Sequence, residues 1–187
     1  VTLSSGSFAG TVTCYGILDG GTFSGKVNVE YPIGVVLRNY PTIKSGTFTE
    51  TSEVTNAGSN TYIKGGTFHG TVINHDIIKD GIFYGTVTNK YHIKGGKFYG
   101  TVTNDAHAAG EYPAVIETGE FHGHVINGDS IQNGTFTGEV TNNNTVVGGT
   151  FNGEVLNGAS GTLKGGTFTD SVTNNGRIVG SDSTYTG

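Results

Sequence analysis

Two sets of side chains recur in this sequence at a spacing that could build one binding surface. Four lysines, Lys44, Lys64, Lys79 and Lys94, follow one another at intervals of 20, 15 and 15 residues. Four rings, His69, Tyr84, Tyr99 and His122, do so at intervals of 15, 15 and 23. An ammonium group meets a carboxylate or a sulfate, and an aromatic ring offers a flat apolar face to a sugar. Tyr62 and His92 stand in a column beside the lysines and complete the candidate set. A periodic surface of this chemistry suits a periodic acidic partner, a polysaccharide or glycoconjugate. The plain structural explanation is that aromatics favour strands and that lysines keep an exposed sheet soluble.

Catalysis finds less support, and no catalytic residue is assigned. His92, Lys94, Tyr84 and Tyr99 are the best base candidates for a polysaccharide lyase, but no motif joins them to an acid, and Arg38 and Arg177 lie far apart. Glu139 and Glu154 share one outward column in adjacent repeats, and their separation could approach the ~5 Å of a retaining glycosidase pair. They read equally as two solvated carboxylates on neighbouring strands. Glu117 and Glu120 flank a corner where a cation could sit. No His/Cys cluster has metal-ligand spacing, and neither a metal nor a cofactor is expected.

These residues are positioned by a repeat. The ten phenylalanines, from Phe8 to Phe168, fall mostly 15 residues apart. Five residues before each Phe stands Leu, Ile or Val, and two before it stands Gly. Four after it stands Val in nine repeats, while in the Phe48 repeat Val54 comes two residues late. Two residues after Val, eight repeats carry Asn, from Asn56 to Asn174; Cys14 and Val29 fill that column in the first two. Each repeat therefore holds three short pieces that alternate outward and inward, centred on the aliphatic residue, on Phe and on Val. Period-two alternation means strands, and glycines between them allow tight corners.

The expected fold is a single-stranded parallel β-helix, a β-solenoid of triangular section with about ten 15-residue turns stacked ~4.8 Å apart. The Asn column reads as an internal amide ladder, because buried polar groups need partners. The solenoid is expected over residues 1–180, with insertions at 28–42, 55–62 and 105–114, all emerging at one corner, and a loose polar tail at 181–187. The chain opens at Val1 inside a repeat, which suggests a piece of something longer.

Composition excludes several classes. The chain has 187 residues, 33 glycines, a single cysteine and a net charge of −5. An acidic chain is a poor general partner for nucleic acid, and no apolar run approaches the length of a membrane span. The charge is uneven. Residues 44–104 hold six lysines against four carboxylates, a net +2, and the remainder holds a net −7.

Gly65-Gly66-Thr67-Phe68-His69-Gly70-Thr71-Val72-Ile73-Asn74, with close copies at 20–29, 95–104 and 165–174, resembles the GGTF-type repeats of bacterial cell-surface β-solenoid proteins. That resemblance implies an adhesin, a stalk or a glycan-binding region in an extracellular, cell-surface or secreted protein. Handedness is not fixed by the sequence; right-handed winding is favoured because internal Asn ladders are familiar there. In architecture alone the chain also resembles right-handed β-helix enzymes that cut acidic polysaccharides. The Thr-x-Thr triplets at 86–88, 101–103 and 135–137 resemble those of insect solenoid antifreeze proteins, but Lys26, Glu139, Glu154, Tyr84 and Tyr99 interrupt the flat threonine array that ice binding needs. The function expected is extracellular carbohydrate binding or adhesion. Polysaccharide cleavage, a passive stalk and ice binding are the alternatives.

Overall fold

The computed structural model describes residues 1–37, 39–107 and 112–185. Arg38, residues 108–111 of the expected third insertion, and Thr186 and Gly187 of the expected tail lie outside the described residues. The described residues contain 28 strands and no helix. All strand pairs are parallel, and each strand pairs with its counterpart one turn on: Ile78 with Ile93, Phe83 with Phe98, Val87 with Val102. The chain is a parallel β-solenoid.

The Val strands form a ten-stranded sheet running from Val12–Cys14 to Val172–Asn174. The aliphatic and Phe strands belong to a second sheet of 18 strands, folded along the glycine corner. Four strands, Ile17–Phe23, Thr42–Phe48, Thr162–Phe168 and Arg177–Tyr185, run through that corner unbroken. Gly66 turns the corner at φ +113°, where a Cβ would also lie 3.2 Å from the Phe68 ring.

Three apolar columns fill the interior. The phenylalanine rings from Phe8 to Phe168 stack with centroids 4.5 to 5.1 Å apart and planes within 14°. Strand spacing sets that separation, so the same ladder that pairs the backbones stacks the rings. Leu3, Phe8, Val12 and Val172, in the terminal turns, are only partly covered. The Asn ladder is continuous. Asn56 Nδ2 donates to Asn74 Oδ1, and the relay passes through Asn89, Asn104, Asn127, Asn142 and Asn157 to Asn174 at 2.7 to 2.8 Å per step. The second amide proton goes to backbone, as from Asn74 to the Asp76 carbonyl at 2.7 Å.

The first two insertions are shorter than the sequence suggests. Strand Lys26–Glu30 pairs through Glu30, so the first loop begins at Tyr31. Strand Glu53–Ala57 likewise runs to Ala57. The tail differs more. Residues 181–185 are not loose: strand Arg177–Tyr185 pairs with Thr162–Phe168, and Tyr185 comes into register with Phe168. An eleventh turn thus reaches an aromatic residue that a search for Phe overlooks.

The late Val54 follows from two extra residues at one corner. At the corner between the Phe and Val strands eight of the ten Phe turns carry Gly, and a Cβ on Gly85 would lie 1.9 Å from the Gly70 carbonyl oxygen; the Phe168 turn has Asp170 there and keeps Val172 at the regular spacing. The Phe48 turn has Glu50 there. Two extra residues, Glu50 and Thr51, precede Ser52, which takes the place of the corner glycine: a Cβ on Gly70 would lie 2.1 Å from the Ser52 carbonyl oxygen, which accepts the Thr71 amide at 3.0 Å.

Candidate functional site

The ten candidate residues do not form one surface. The glycine corner divides them. On the Phe side, His69, Tyr84, Tyr99 and His122 stack at 4.9, 5.0 and 4.7 Å, with planes within 15°. Their faces are therefore turned to one another, and the expectation that Tyr84 and Tyr99 offer faces to sugars is corrected. What they present outward is ring edge and phenol hydroxyl. At one end of the stack, His122 Nδ1 shares a hydrogen bond with Thr137 Oγ1 at 2.9 Å. At the other end the next residue in the column is Thr49, too short to cover the His69 ring.

On the aliphatic side two of the four lysines in the column have carboxylate partners. Lys44 lies 3.8 Å from Asp19, and Lys94 lies 3.0 Å from Glu117. Lys90 pairs with Asp105 at 2.8 Å and Lys97 with Glu120 at 2.9 Å. All four acidic partners fall outside residues 44–104, which explains why that stretch reads as basic in the sequence. Lys64 and Lys79 are different. Among the described residues neither has a carboxylate partner, and both ammonium groups lie 4.9 Å from the centroid of one ring, Tyr62. The ring's electron-rich face offsets part of the repulsion between them. Tyr62 in turn meets Tyr40 at 6.0 Å, and Tyr40 meets Tyr31 at 6.1 Å, so the first insertion supplies an aromatic wall.

His92 stands apart from both groups. It touches Glu117, which also holds Lys94, and it packs edge-on to Tyr91 at 4.1 Å. Burial opposes ionisation of Glu117, but hydrogen bonds from Lys94 and His92 outweigh it and hold the carboxyl below its ordinary value. With His92 and Lys94 engaged by one carboxylate, neither is poised as a free base. Glu139 lies 3.7 Å from His124 Nε2, a residue of its own outward column. Among the described residues there is no group of three or more His, Cys, Asp or Glu that could hold a metal ion. Nor is any helix there long and apolar enough to cross a membrane.

Two cavities lie between these groups. A groove of about 620 Å³ follows the glycine corner over several turns, floored by Gly46, Gly66 and Gly81 and edged by Thr47, Thr67 and Lys97. A notch of about 490 Å³ opens beside His69, lined by Thr47, Thr49, Glu50 and Thr51. The two share Thr47.

Sequence reasoning missed Asp76 and Asp129. Both are buried carboxylates that pin an insertion of the preceding turn. Asp76 accepts the Thr61 amide at 2.6 Å. Asp129 accepts the Ala114 amide at 2.9 Å and touches His107 Nδ1. Burial pushes the Asp76 carboxyl up, against the lowering effect of its backbone hydrogen bonds. The signal was present as Asn-x-Asp, at Asn74-His75-Asp76 and Asn127-Gly128-Asp129, each after a turn that carries an insertion.

Compared with protein-family models, with curated proteins and with solved structures, the chain shows no match in any of the three.

Proposed function

We propose that this chain is a carbohydrate-binding or adhesive β-solenoid module that works outside the cell, at a bacterial surface or within a secreted multidomain protein. Its partner is an acidic polysaccharide or glycoconjugate. The acidic group binds at Lys64 and Lys79, beside Tyr62 and Tyr40, and the polymer continues along the glycine groove. The observation that carries this reading is the pair of ammonium groups on one tyrosine ring with no carboxylate between them among the described residues. Like charges one strand apart oppose folding, and an anion bound between them relieves that cost. The other lysines of the patch already have partners and add little beyond general attraction.

Calorimetric titration with a polyuronate and with a sulfated galactan, at low and at high salt, tests this. The expected result is salt-sensitive binding that Lys64→Ala/Lys79→Ala weakens by at least tenfold while the melting temperature is kept. Binding unchanged in the double variant, or none in the native chain, overturns the site. A passive stalk is the second reading. It is favoured by the self-satisfied ring stack and by the carboxylates that neutralise Lys44, Lys90, Lys94 and Lys97.

A further inference from the structure

The outer aromatic stack is one ring short, and the place of the missing ring is a shallow, open notch. His69, Tyr84, Tyr99 and His122 repeat at close to 4.9 Å, the spacing of the strands that carry them. One step beyond His69 the column holds Thr49. The imidazole face on that side is left without a ring neighbour, and the cavity of about 490 Å³ lies against it. The far end of the stack is different, because there Thr137 reaches the His122 edge through a hydrogen bond at 2.9 Å.

The wall of the notch is made by the two-residue bulge that carries Glu50 and Thr51. It is tied down at several points. Ser52 Oγ donates to the Thr49 carbonyl at 2.7 Å, and Thr51 Oγ1 donates to the Ser24 carbonyl at 2.9 Å. Thr49 and Thr51 share a hydrogen bond between hydroxyls at 3.2 Å. Glu50 projects from this wall without an ion-pair partner among the described residues, so its carboxylate is available to accept hydrogen bonds.

We infer that the notch binds one neutral pyranose ring, stacked on the free face of His69 with two of its hydroxyls donating to Glu50. A pyranose has an apolar face of C–H groups that suits an aromatic π-face, and a rim of hydroxyls that suits a carboxylate and threonines. A pyranose laid on His69 at the strand spacing takes the place of the next ring in the column. A sugar acid is disfavoured beside Glu50, because two carboxylates repel. The inference rests on the carbohydrate reading for its ligand class, but different residues carry it. The acidic unit of a polymer lies at Lys64 and Lys79, and a neutral unit lies at His69.

The test is an NMR titration of the chain with ¹³C-labelled histidine, using the methyl pyranosides of glucose, galactose and mannose and methyl glucuronide as probes. The His69 ring resonances are expected to shift with at least one neutral pyranoside, with millimolar affinity, and not with the glucuronide. Glu50→Gln should weaken that binding about tenfold, the loss of a charge-assisted hydrogen bond. Thr49→Tyr supplies the missing ring from the protein itself and should abolish it, while leaving the histidine resonances dispersed as in a folded chain. Silence at His69 with every neutral probe overturns the inference, as does an equal response in Thr49→Tyr. Polyuronate binding that depends on Lys64 and Lys79, with His69 unmoved by every neutral pyranoside, sinks the notch and spares the acidic site. The converse pattern sinks the acidic site and spares the notch.

Discussion

The turn around Phe83 and the turn around Phe48 have the same plan and different outcomes. In the Phe83 turn every column closes. Tyr84 is stacked on both faces, Gly85 lets the backbones pass, and Asn89 both accepts and donates in the amide ladder. In the Phe48 turn three columns break at once. Thr49 ends the ring stack, Glu50 stands in place of the corner glycine in the sequence, and Asn56 starts the amide ladder with a buried Oδ1 that no donor among the described residues reaches. The first insertion, which carries Tyr31 and Tyr40, flanks the same turn. Repetition satisfies side chains against their own copies, so chemistry is left over where the repetition fails. On this solenoid the unsatisfied groups collect at one broken turn, and both proposed subsites adjoin it.

The comparison can be broken most forcefully at the corner. Gly85→Ala places a methyl group 1.9 Å from the Gly70 carbonyl and should cost about 3 kcal/mol or more in urea unfolding. Glu50→Ala, in the equivalent place of the bulged turn, should stay within about 0.5 kcal/mol. Equal costs would mean that the bulge is packed as tightly as the regular corner.

The amide ladder gives the next largest effect. Asn89→Ala leaves the Asn74 amide without its acceptor and Asn104 Oδ1 without its donor, an expected loss of about 2–4 kcal/mol from two buried groups. Asn56→Val only moves the orphaned oxygen from Asn56 to Asn74 and should cost under about 1 kcal/mol. Extending the ladder sharpens the same point. Val29 and Cys14 occupy the Asn column ahead of Asn56. Val29→Asn with Cys14→Asn carries the orphan to the end of the rod and should add about 1 kcal/mol, read as a raised melting temperature.

The smallest effect concerns pH. The Asp76 carboxyl is raised in the folded chain, so the folded state holds its proton to higher pH than the unfolded state does. Its contribution therefore falls as pH rises through the window above the ordinary value of 3.8. Glu117 acts with the opposite sign: its lowered carboxyl adds stability above the ordinary value of 4.5, lost as pH falls. Asp76→Asn should remove only the first slope from a series of urea melts. A series identical to that of the native chain would mean that Asp76 does not titrate as the fold implies.

The interior of this molecule was readable because each inward residue meets its own copy one turn away. Phe, Val, Ile and Asn then recur at a fixed interval, and the columns, the corners and the amide ladder follow from spacing alone. The outer face was less readable because its residues meet different partners. Lys94 pairs with Glu117 across an insertion, and the apparent basic stretch is balanced by carboxylates that lie beyond it in the chain. That lysines and rings stood in neighbouring columns was visible in the sequence. That the rings stack on each other, and that Lys64 and Lys79 share Tyr62, depends on side-chain direction, which a repeat pattern does not encode. The broken turn itself left a trace, the late Val54, whose meaning became clear only once Ser52 was seen in the place of the corner glycine.

The most direct test of the account is to repair the Phe48 turn and measure binding. The variant carries Thr49→Tyr and has Glu50-Thr51-Ser52 replaced by a single glycine, which gives it the length and corner of the Phe83 turn. Titrated with the neutral methyl pyranosides that move His69 in the native chain, it should melt at a higher temperature and bind none of them. A repaired chain that folds and still binds them as the native chain does would contradict the claim that the binding chemistry of this solenoid lies where its repeat fails.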